Sequence, residues 1–263
     1  MTSQLPDGYF DKPNVARVHD HLDGGTDNYV VDRDLAIDLV EVAPWLPTSI
    51  RTNRAHGPRV LDYFTRELGI DQVLDLGCGL PHDDHRHLSD DVRRIVYVDS
   101  DPGVEAHARM TLAERHGTES LHADLRNMPA LLAAGPVARL DRGRPIGVLL
   151  HDVLPWIAEE AAHTALASLR AWLPPGSVLS VTHATTDLAP EAMAALARLN
   201  ARSGIAFRPR SAQQIRELLR SWTPLETDWP VTTASWHQPA PLHERFDHSH
   251  AYAILASPGD RTP

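Results

Sequence analysis

The chain has 263 residues, of which 42% are hydrophobic and 23% are charged, as in ordinary folded globular proteins. This length accommodates one large domain, or one domain with an added cap. The formal net charge of −10 disfavours a nucleic acid as the main partner, because contact with a phosphate backbone needs a concentrated basic face.

The segment before residue 70 is predicted to be entirely helical. Helical patterns cover residues 14–22, 30–43 and 49–67. Pro44 and Pro47 separate the last two patterns, because proline interrupts the hydrogen bonds of a helix. Residues 1–68 are therefore expected to form an N-terminal helical cap ahead of the rest of the chain.

Between residues 70 and 185, short apolar runs alternate with helical patterns. The runs are too short for helices and most are rich in β-branched residues, which predicts buried strands. They lie at residues 72–76, 94–98, 120–123, 146–150 and 178–182. Strands that alternate with helices, here at 104–115 and 159–172, predict a parallel α/β sheet with helices on both faces.

The chain after residue 185 is predicted to add two helices and two strands. The helices are expected at 190–202 and 212–221, and the strands at 226–236 and 249–256. Ser211 and Gln214 form a capping box at the start of the second helix. Residues 69–263 are therefore expected to form the sheet-containing domain, continuous with the cap.

The cysteine content and the apolar runs bear on the location of the protein. Cys78 is the only cysteine, so no internal disulfide can form, which fits a reducing compartment. The N-terminus lacks the pattern of a signal peptide, and no apolar run approaches the roughly 20 residues that cross a bilayer. The sequence therefore predicts a cytoplasmic protein. Lys12 is the only lysine among 25 basic residues, and this preference for arginine indicates a GC-rich bacterial genome.

Residues 73–85 read VLDLGCGLPHDDH, a strand pattern that ends at Gly77 and Gly79 and leads into a helix. This is the geometry of a nucleotide-binding βα unit. Asp99 lies 20 residues after Gly79, at the end of the second strand, where a carboxylate can accept hydrogen bonds from both hydroxyls of a ribose. Asp124 lies 25 residues further on, after the third strand, where it can face an adenine amino group. These residues predict one nucleoside-binding crevice.

The identity of the nucleotide depends on the residues after the glycines. A dinucleotide site has a third glycine, but this chain has His82, followed by Asp83 and Asp84. Two carboxylates beside a diphosphate would repel it by about 1 kcal/mol or more at short range. They suit S-adenosylmethionine, which carries an adenosine, no phosphate and a sulfonium cation, so the site favours this cofactor over NAD. Alternatively, the two carboxylates complement the helix dipole and contact no ligand.

An ordered set of short motifs spans nearly the whole chain. It comprises PNVARV at 13–18, GG at 24–25, DNY at 27–29, DR at 32–33, NR at 53–54, DLG at 75–77, GLP at 79–81, VYVD at 96–99, DP at 101–102, ADLR at 123–126, LPPGS at 173–177 and HA at 183–184. In these motifs the chain resembles the S-adenosylmethionine-dependent methyltransferases of Rossmann-like fold. It is more closely similar to an actinobacterial family of such enzymes whose substrates are mostly unassigned.

The resemblance implies a Rossmann-like, doubly wound, mostly parallel seven-stranded sheet whose last strand runs antiparallel, with S-adenosylmethionine as the cofactor. It implies that Gly77 and Gly79 lie under the amino-acid tail, Asp99 at the ribose and Asp124 near the adenine. The stretch that includes Gly25 and Asn28 is expected to close over the cofactor from the cap. The remaining cofactor-binding residues expected from the matched motifs are Asp75 and Leu125.

The end of the fourth strand departs from the family pattern. There, His151 and Asp152 replace small or apolar residues, at the position to which the transferred methyl group points in this superfamily. Histidine titrates near neutral pH, so His151 could serve as the catalytic base, with Asp152 orienting it or a substrate amine. The alternative for His151 is a hydrogen bond to a loop. Trp156 is expected to shape an apolar acceptor pocket, and His183 to support its wall.

No metal site is predicted from the histidines. The run HDDHRH at 82–87 lies at a helix start and lacks the spacing of a zinc site, so a solvated face is favoured. The same holds for the histidines of the C-terminal tail, which are His243, His248 and His250. His19 and His21 are two residues apart on one helix, so at most one of them points inward.

The sequence thus predicts methyl transfer from S-adenosylmethionine to a small-molecule acceptor, in bacterial specialised metabolism. The alternative is a protein of the same fold that binds this cofactor without methyl transfer, as a regulator or a repurposed enzyme, and the departures at 19–26 and 151–155 leave it open. An NAD-dependent oxidoreductase is disfavoured by His82. The expected partner is the acceptor, without nucleic acid or membrane, and the chain is expected to be a monomer or a homodimer.

Overall fold

A computed structural model describes residues 5–81, 91–112, 115–238 and 247–259. The helices are α1 (Val15–Asp23), α2 (Val30–Val42), α3 (Leu46–Arg54), α4 (His56–Arg66), α5 (Pro102–Leu112), α6 (Met128–Ala133), α7 (Gly135–Ala138), α8 (Glu159–Trp172), α9 (Pro190–Arg202) and α10 (Ala212–Leu218). The strands are β1 (Gln72–Leu76), β2 (Arg94–Asp99), β3 (Thr118–His122), β4 (Gly147–His151), β5 (Val178–Ala184), β6 (Thr223–Pro224), β7 (Val231–Thr232) and β8 (Ala251–Ser257). None of the helices in these ranges has the length and apolar character that a membrane span requires.

Within the described ranges, eight strands form one sheet in the order β3-β2-β1-β4-β5-β8-β6, and β7 also pairs with β8. The first five strands run parallel, and β8 runs antiparallel to β5. This confirms the mostly parallel, doubly wound Rossmann-like fold. The strand order reverses between β1 and β4, and ligands of such sheets bind outside the carboxyl ends of the strands at this point.

The C-terminal part of the sheet differs in detail from the predicted seven strands. Of the strand expected at 226–236 only β7 forms, and a second short segment, β6, precedes that range; the two pair with different parts of β8. Pro224 and Pro230 lack the amide hydrogen that a sheet ladder uses. This agrees with the length of each segment, which is two residues.

Helices cover both faces of the sheet, as the alternation of strands and helices predicts. Leu74 and Leu76 of β1 join the apolar cluster that includes α6, α8 and α10, whereas Val73 joins the cluster that includes α4 and α5. Successive side chains of a strand point to opposite faces, so Asp75 shares the face of Val73. Because the central strands are buried on both faces, it is mainly at their ends that polar side chains reach a cavity.

The cap contains helices from two distant parts of the chain. α1, α2 and α3 share one apolar cluster with Met193 and Leu196 of α9. α4 packs instead on the sheet, where a Cβ on Gly147 would lie only 2.5 Å from the ring of Phe64. The single helix expected at 49–67 is two helices, α3 and α4. Pro58 cannot donate a helical hydrogen bond and is accommodated in the first turn of α4.

A buried ion pair joins the cap helices and leads to the sheet. Arg17 Nε lies 2.8 Å from Asp32 Oδ2, and the two side chains are 3% and 0% exposed. Asp32 Oδ1 accepts a hydrogen bond from the amide of Asn14. The side chain of Asn14 and the hydroxyl of Tyr9 donate to the two oxygens of Asp101, at 2.7 and 2.6 Å. These bonds fasten the cap to the loop that follows β2.

Candidate active site

A cavity of about 670 Å³ lies between the carboxyl edge of the sheet and the cap helices. Its walls come from the ends of β1, β2, β4 and β5, from α1, α3 and α9, and from the segment before β8. Ligand pockets commonly have volumes of about 300–1,000 Å³, so a small molecule fits here. The predicted site residues that line it are Asp75, Gly77, Gly79, Asp99, Asp124, Leu125, His151 and Asp152.

The turn after β1 needs glycine at both predicted positions. Gly77 and Gly79 have φ angles of +74° and +67°, in the left-handed region that other residues rarely adopt. A Cβ on Gly77 would lie 2.5 Å from Val153, whereas a Cβ on Gly79 would have no neighbour within 4 Å. The backbone at Gly79 is therefore open to close approach by a ligand.

Asp99 is held in a fixed orientation at the end of β2. Its Oδ2 accepts a hydrogen bond from the amide of Gly79 at 3.1 Å, and its Oδ1 accepts one from the amide of Asp101 at 2.9 Å. Burial raises the pKa of Asp99, and these two hydrogen bonds oppose that effect. Each carboxylate oxygen retains a lone pair, so Asp99 can also accept hydrogen bonds from two neighbouring hydroxyls.

Burial also raises the pKa of two side chains at the glycine turn, Asp75 and Cys78. It raises the pKa of Asp75 to about 7, and the nearby charge of Asp99 adds to this effect. It raises the pKa of the Cys78 thiol as well, so the thiol stays protonated. Cys78 thus behaves as a small packing group, and Asp75 can hold a proton at the cavity wall near neutral pH.

Asp124 caps the 3₁₀ turn at Leu125–Asn127. Its two oxygens accept hydrogen bonds from the guanidinium of Arg126 at 3.0 and 2.8 Å, and these bonds lower the pKa of Asp124. Leu125 is buried and belongs to the main apolar cluster. A ligand at this edge would meet a carboxylate already paired with arginine, so Arg126, which was not among the predicted site residues, is also part of the wall.

Gly25 and Asn28 are not among the described residues that line the cavity. The side chain of Asn28 donates to Asp20 at 2.8 Å and to the carbonyl of Gly25 at 3.0 Å. A Cβ on Gly25 would collide with the carboxylate of Asp20. The two residues therefore shape a tight turn after α1, and their closure over the cofactor stays a prediction. The cap residue that lies at the wall, next to Asp101, is Asn14.

Asp152 occupies a strained position directly after β4. Its φ angle is +55°, and its amide donates to Thr182 Oγ1 at 2.9 Å. Burial raises the pKa of Asp152 to about 7. Its Oδ2 lies 3.4 Å from Nε1 of Trp156 and 3.8 Å from Nδ1 of His19. The carboxyl group therefore lies between the edge of the sheet and α1.

His151 bonds to the sheet and not to Asp152. Its Nε2 makes a 2.8 Å hydrogen bond with Oγ of Ser180 on β5. Burial lowers the pKa of His151 to about 3, so the imidazole is neutral at physiological pH. Within the described part of the chain, no hydrogen bond joins His151 to Asp152. The expectation that Asp152 orients His151 is therefore not supported by the geometry.

The other histidines take positions that the sequence left open. His19 lines the cavity, and burial lowers its pKa to about 4, with the charge of Arg54 adding to the effect. His183 bonds the carbonyl of Ala184 and the guanidinium of Arg210, at 2.8 and 2.7 Å. In the described ranges, no three histidine, cysteine or acidic side chains converge as metal ligands would. The run at 82–87 and His243 lie outside those ranges.

Two pairs of stacked rings line the part of the cavity that lies away from the cofactor motifs. Trp156, which was expected, stacks on Phe207 with ring centroids 4.6 Å apart. Trp45 stacks on His250 with ring centroids 3.6 Å apart, and both line the cavity. Each pair joins distant segments of the chain, so no local pattern could have predicted it.

The chain is similar in sequence and in structure to a family of methyltransferases. The model of a family described as S-adenosyl methyltransferase matches residues 7–258. A candidate methyltransferase of Thermobifida fusca is 31% identical to the chain, with a TM-score of 0.86 over 96% of this chain and 97% of its own. A DUF574 family protein of Streptomyces avermitilis is 26% identical, with a TM-score of 0.85 over 94% and 98%.

A more distant structure shares the fold. Human N-acetylserotonin methyltransferase, solved in complex with SAM, is 17% identical, with a TM-score of 0.51 over 87% of this chain and 57% of its own. No curated protein matches the chain.

The raised pKa of Asp152 predicts a pH-dependent effect on stability. The folded protein holds this proton up to about pH 7, whereas the unfolded chain loses it near pH 4, about the ordinary value for aspartate. The contribution of Asp152 to the free energy of unfolding therefore falls as the pH rises from about 4 to about 7. Asp152→Asn cannot ionise and tolerates a positive φ, so it should stabilise the protein more at pH 8 than at pH 4.

Urea denaturation of Asp152→Asn and of the unaltered chain at both pH values measures this difference. Asp38→Asn, on the exposed face of α2, is the matched control and should show no such difference. An equal effect of Asp152→Asn at pH 4 and pH 8 would contradict the raised pKa.

Proposed function

We propose that this chain, which belongs to the S-adenosyl methyltransferase family, transfers the methyl group of S-adenosylmethionine to a small-molecule acceptor held under its helical cap. The observation that carries this proposal is one cavity shared by two sets of residues. The cofactor motifs lie at the ends of β1 and β2, and an apolar chamber lies at the ends of β4 and β5. A methyl donor and its acceptor have to meet in one enclosure, and this cavity offers room for both.

The residues at the ends of β1 and β2 fit the cofactor. Gly79 leaves its backbone open, Asp99 is held with lone pairs to spare, and Asp75 adds a third polar feature beside the turn. We assign the amino-acid tail to Gly77 and Gly79, with Asp75 nearby, and the ribose hydroxyls to Asp99. We assign the adenine to the edge formed by Asp124 and Leu125.

The chain contributes mainly alignment to the reaction. S-adenosylmethionine supplies a methyl carbon that is activated by its sulfonium, and transfer forms a bond from the acceptor to that carbon as the carbon–sulfur bond breaks. Holding reactants in line can contribute about 7–11 kcal/mol to the lowering of a barrier. A hydroxyl or amine acceptor must also lose a proton, which requires a base in the wall of the chamber.

Asp152 fits the role of this base better than His151. A base works best when its pKa is near the operating pH, and burial brings the pKa of Asp152 to about 7. The pKa of His151 is about 3, so its imidazole accepts a proton far less readily. We therefore assign proton acceptance to Asp152, with His19 beside it, and assign His151 to the sheet side of the wall.

The size of the acceptor and its setting are inferred from the chamber and the composition. Cap helices on one side and the sheet on the other leave a space of small-molecule dimensions. The net charge of −10 disfavours a nucleic acid substrate. The preference for arginine over lysine supports a bacterial enzyme, for which we propose a role in specialised metabolism. A cytoplasmic location stays a prediction.

Methyl-labelled S-adenosylmethionine tests the class of acceptor. The protein should transfer label into the small-molecule fraction of a bacterial extract, and not into its protein or nucleic acid fractions. Each fraction is incubated separately with the labelled cofactor, with Asp152→Asn as the inactive control. Label that enters only a macromolecular fraction would refute a small-molecule acceptor.

Asp99→Ala tests the cofactor half of the site. Loss of the ribose hydrogen bonds should weaken S-adenosylhomocysteine binding by about 1–3 kcal/mol, measured by isothermal titration calorimetry. Asp38→Ala, on the exposed face of α2, should leave the affinity unchanged. If Asp99→Ala binds as well as the unaltered chain at the same folded fraction, Asp99 does not hold the ribose.

Paired substitutions distinguish the two candidate bases. Asp152→Asn should lower kcat by about a hundredfold or more, because general-base catalysis typically contributes about 10²–10⁴. It should leave the Kd of S-adenosylhomocysteine unchanged. His151→Gln should lower kcat much less, and kcat of the unaltered chain should rise with pH through about 7. A larger loss in His151→Gln than in Asp152→Asn would reverse the assignment.

A further inference from the structure

The chamber is the part of the cavity that extends from Asp152, after β4, past the end of β5 to His250, before β8. It lies away from the cofactor motifs at β1 and β2. His151 of β4 is in register with Thr182 of β5, and Ala184 of β5 is in register with Ala251 of β8. His250 therefore lies two strand spacings across the sheet from the end of β4, or about 10 Å at about 4.8 Å per strand, and also further along the strand direction. A molecule that reaches both Asp152 and His250 has to extend across β5.

Aromatic rings bound the chamber at its near end. Trp156 and Phe207 stack with an interplanar angle of 27°. The ring of His19 meets Trp156 edge-on, with centroids 5.5 Å apart. Trp156 and His19 both lie beside the carboxyl group of Asp152, at 3.4 and 3.8 Å from its Oδ2, so a group presented to that carboxyl lies next to aromatic surface.

A second stacked pair lies at the far end. Trp45 and His250 are 3.6 Å apart with an interplanar angle of 26°. His250 has a φ angle of +46°, a strained conformation that persists only where the surroundings enforce it. Here the side chains of Ser49 and Asn53 both donate to the carbonyl of Ser249, at 2.6 and 2.9 Å. The strained backbone at His250 is therefore held in place by α3.

Two polar atoms in the segment before β8 have no hydrogen-bond partner among the described residues. They are Nδ1 of His250 and Oδ2 of Asp247, and both are buried. Burial lowers the pKa of His250 to about 4, so the ring is neutral and has one donor and one acceptor nitrogen. Unsatisfied buried polar atoms are rare in proteins, and a bound group is one explanation for them. The histidine ring at the far end of the chamber is thus polar and uncharged.

The wall between the two ends offers little to an anionic acceptor. It includes apolar side chains such as Leu39, Ile50 and Leu196. Arg54 is paired with Asp23 at 2.9 Å, and Arg208 is exposed. An anionic molecule would lose its hydration here without an unpaired buried cation to replace it.

We propose that the acceptor is a flat, uncharged aromatic compound that presents a ring hydroxyl to Asp152 and extends its ring system toward the Trp45–His250 stack. This assignment rests on the proposed function. In the reaction, the hydroxyl oxygen bonds to the methyl carbon as the carbon–sulfur bond breaks, and the hydroxyl proton passes to Asp152. An aromatic hydroxyl has a pKa of about 10, as in tyrosine, which is close enough to that of the buried carboxyl for this transfer.

The test uses 2-naphthol and its saturated analogue 2-decalol, which share one skeleton and differ in planarity and aromaticity. Calorimetry of the protein loaded with S-adenosylhomocysteine should give about tenfold tighter binding of 2-naphthol, since each aromatic contact adds a few-fold. The anion 2-naphthoate should bind more weakly than 2-naphthol. Equal affinities of 2-naphthol and 2-decalol, tighter binding of 2-naphthoate, or no binding of 2-naphthol would overturn the proposal.

Matched tryptophan substitutions locate the probe. Trp45→Leu and Trp156→Leu should each weaken 2-naphthol about two- to tenfold and leave S-adenosylhomocysteine affinity unchanged. Trp172→Leu, on α8 against Arg142 and outside the described cavity lining, should change neither affinity. Unchanged 2-naphthol affinity in both Trp45→Leu and Trp156→Leu would remove the aromatic compound from this chamber.

Product formation tests the position of the hydroxyl. With S-adenosylmethionine in place of S-adenosylhomocysteine, mass spectrometry should detect 2-methoxynaphthalene, and binding of 2-naphthol without conversion would overturn the placement of its hydroxyl at Asp152. Failure of the proposed function and failure of the proposed acceptor class would give different results. If S-adenosylhomocysteine does not bind, the proposed function itself fails, whereas its binding without preference for 2-naphthol refutes only the acceptor class.

Discussion

The parallel alignment of β1, β2 and β4 is the constraint on which the rest of the structure depends. Because these strands are parallel and buried on both faces, the residues that follow them converge on one edge and line one cavity. The cap closes this edge through Asn14 and Tyr9, which bond Asp101 directly after β2. The enclosure brings polar groups from different strands together and also removes them from water.

Removal from water sets the protonation of three titratable groups in the cavity, Asp75, Asp152 and His151. Burial disfavours the charged form, so it raises the pKa of Asp75 and Asp152 to about 7 and lowers that of His151 to about 3. The carboxyl group, and not the imidazole, is then the group that exchanges a proton near neutral pH. The same cavity has stacked aromatic rings in its wall at Trp156 and Trp45, which is why we propose an uncharged aromatic acceptor.

The sequence by itself determined the order of the main elements and the position of several predicted site residues at one edge of the sheet. The strand patterns between residues 70 and 185, the capping box at Ser211 and the helices at 159–172 and 190–202 agree with the structure, because they depend on local periodicity and local hydrogen bonds. Gly77 and Asp99 could be placed for a related reason. In a parallel sheet, the residue after each strand must lie at the carboxyl edge, so position along the chain predicts position in space.

Only the tertiary structure decided the contacts between distant segments. Gly25 and Asn28 belong to a matching motif, yet they pack on Asp20 and leave the cavity wall to Asn14. The cap draws on α9, and His151 bonds to β5 while Asp152 lies beside α1. Each of these outcomes depends on which side chains meet after the chain has folded and on how much water the contact excludes. Neither quantity is contained in local spacing, since both are set by packing between residues far apart in sequence.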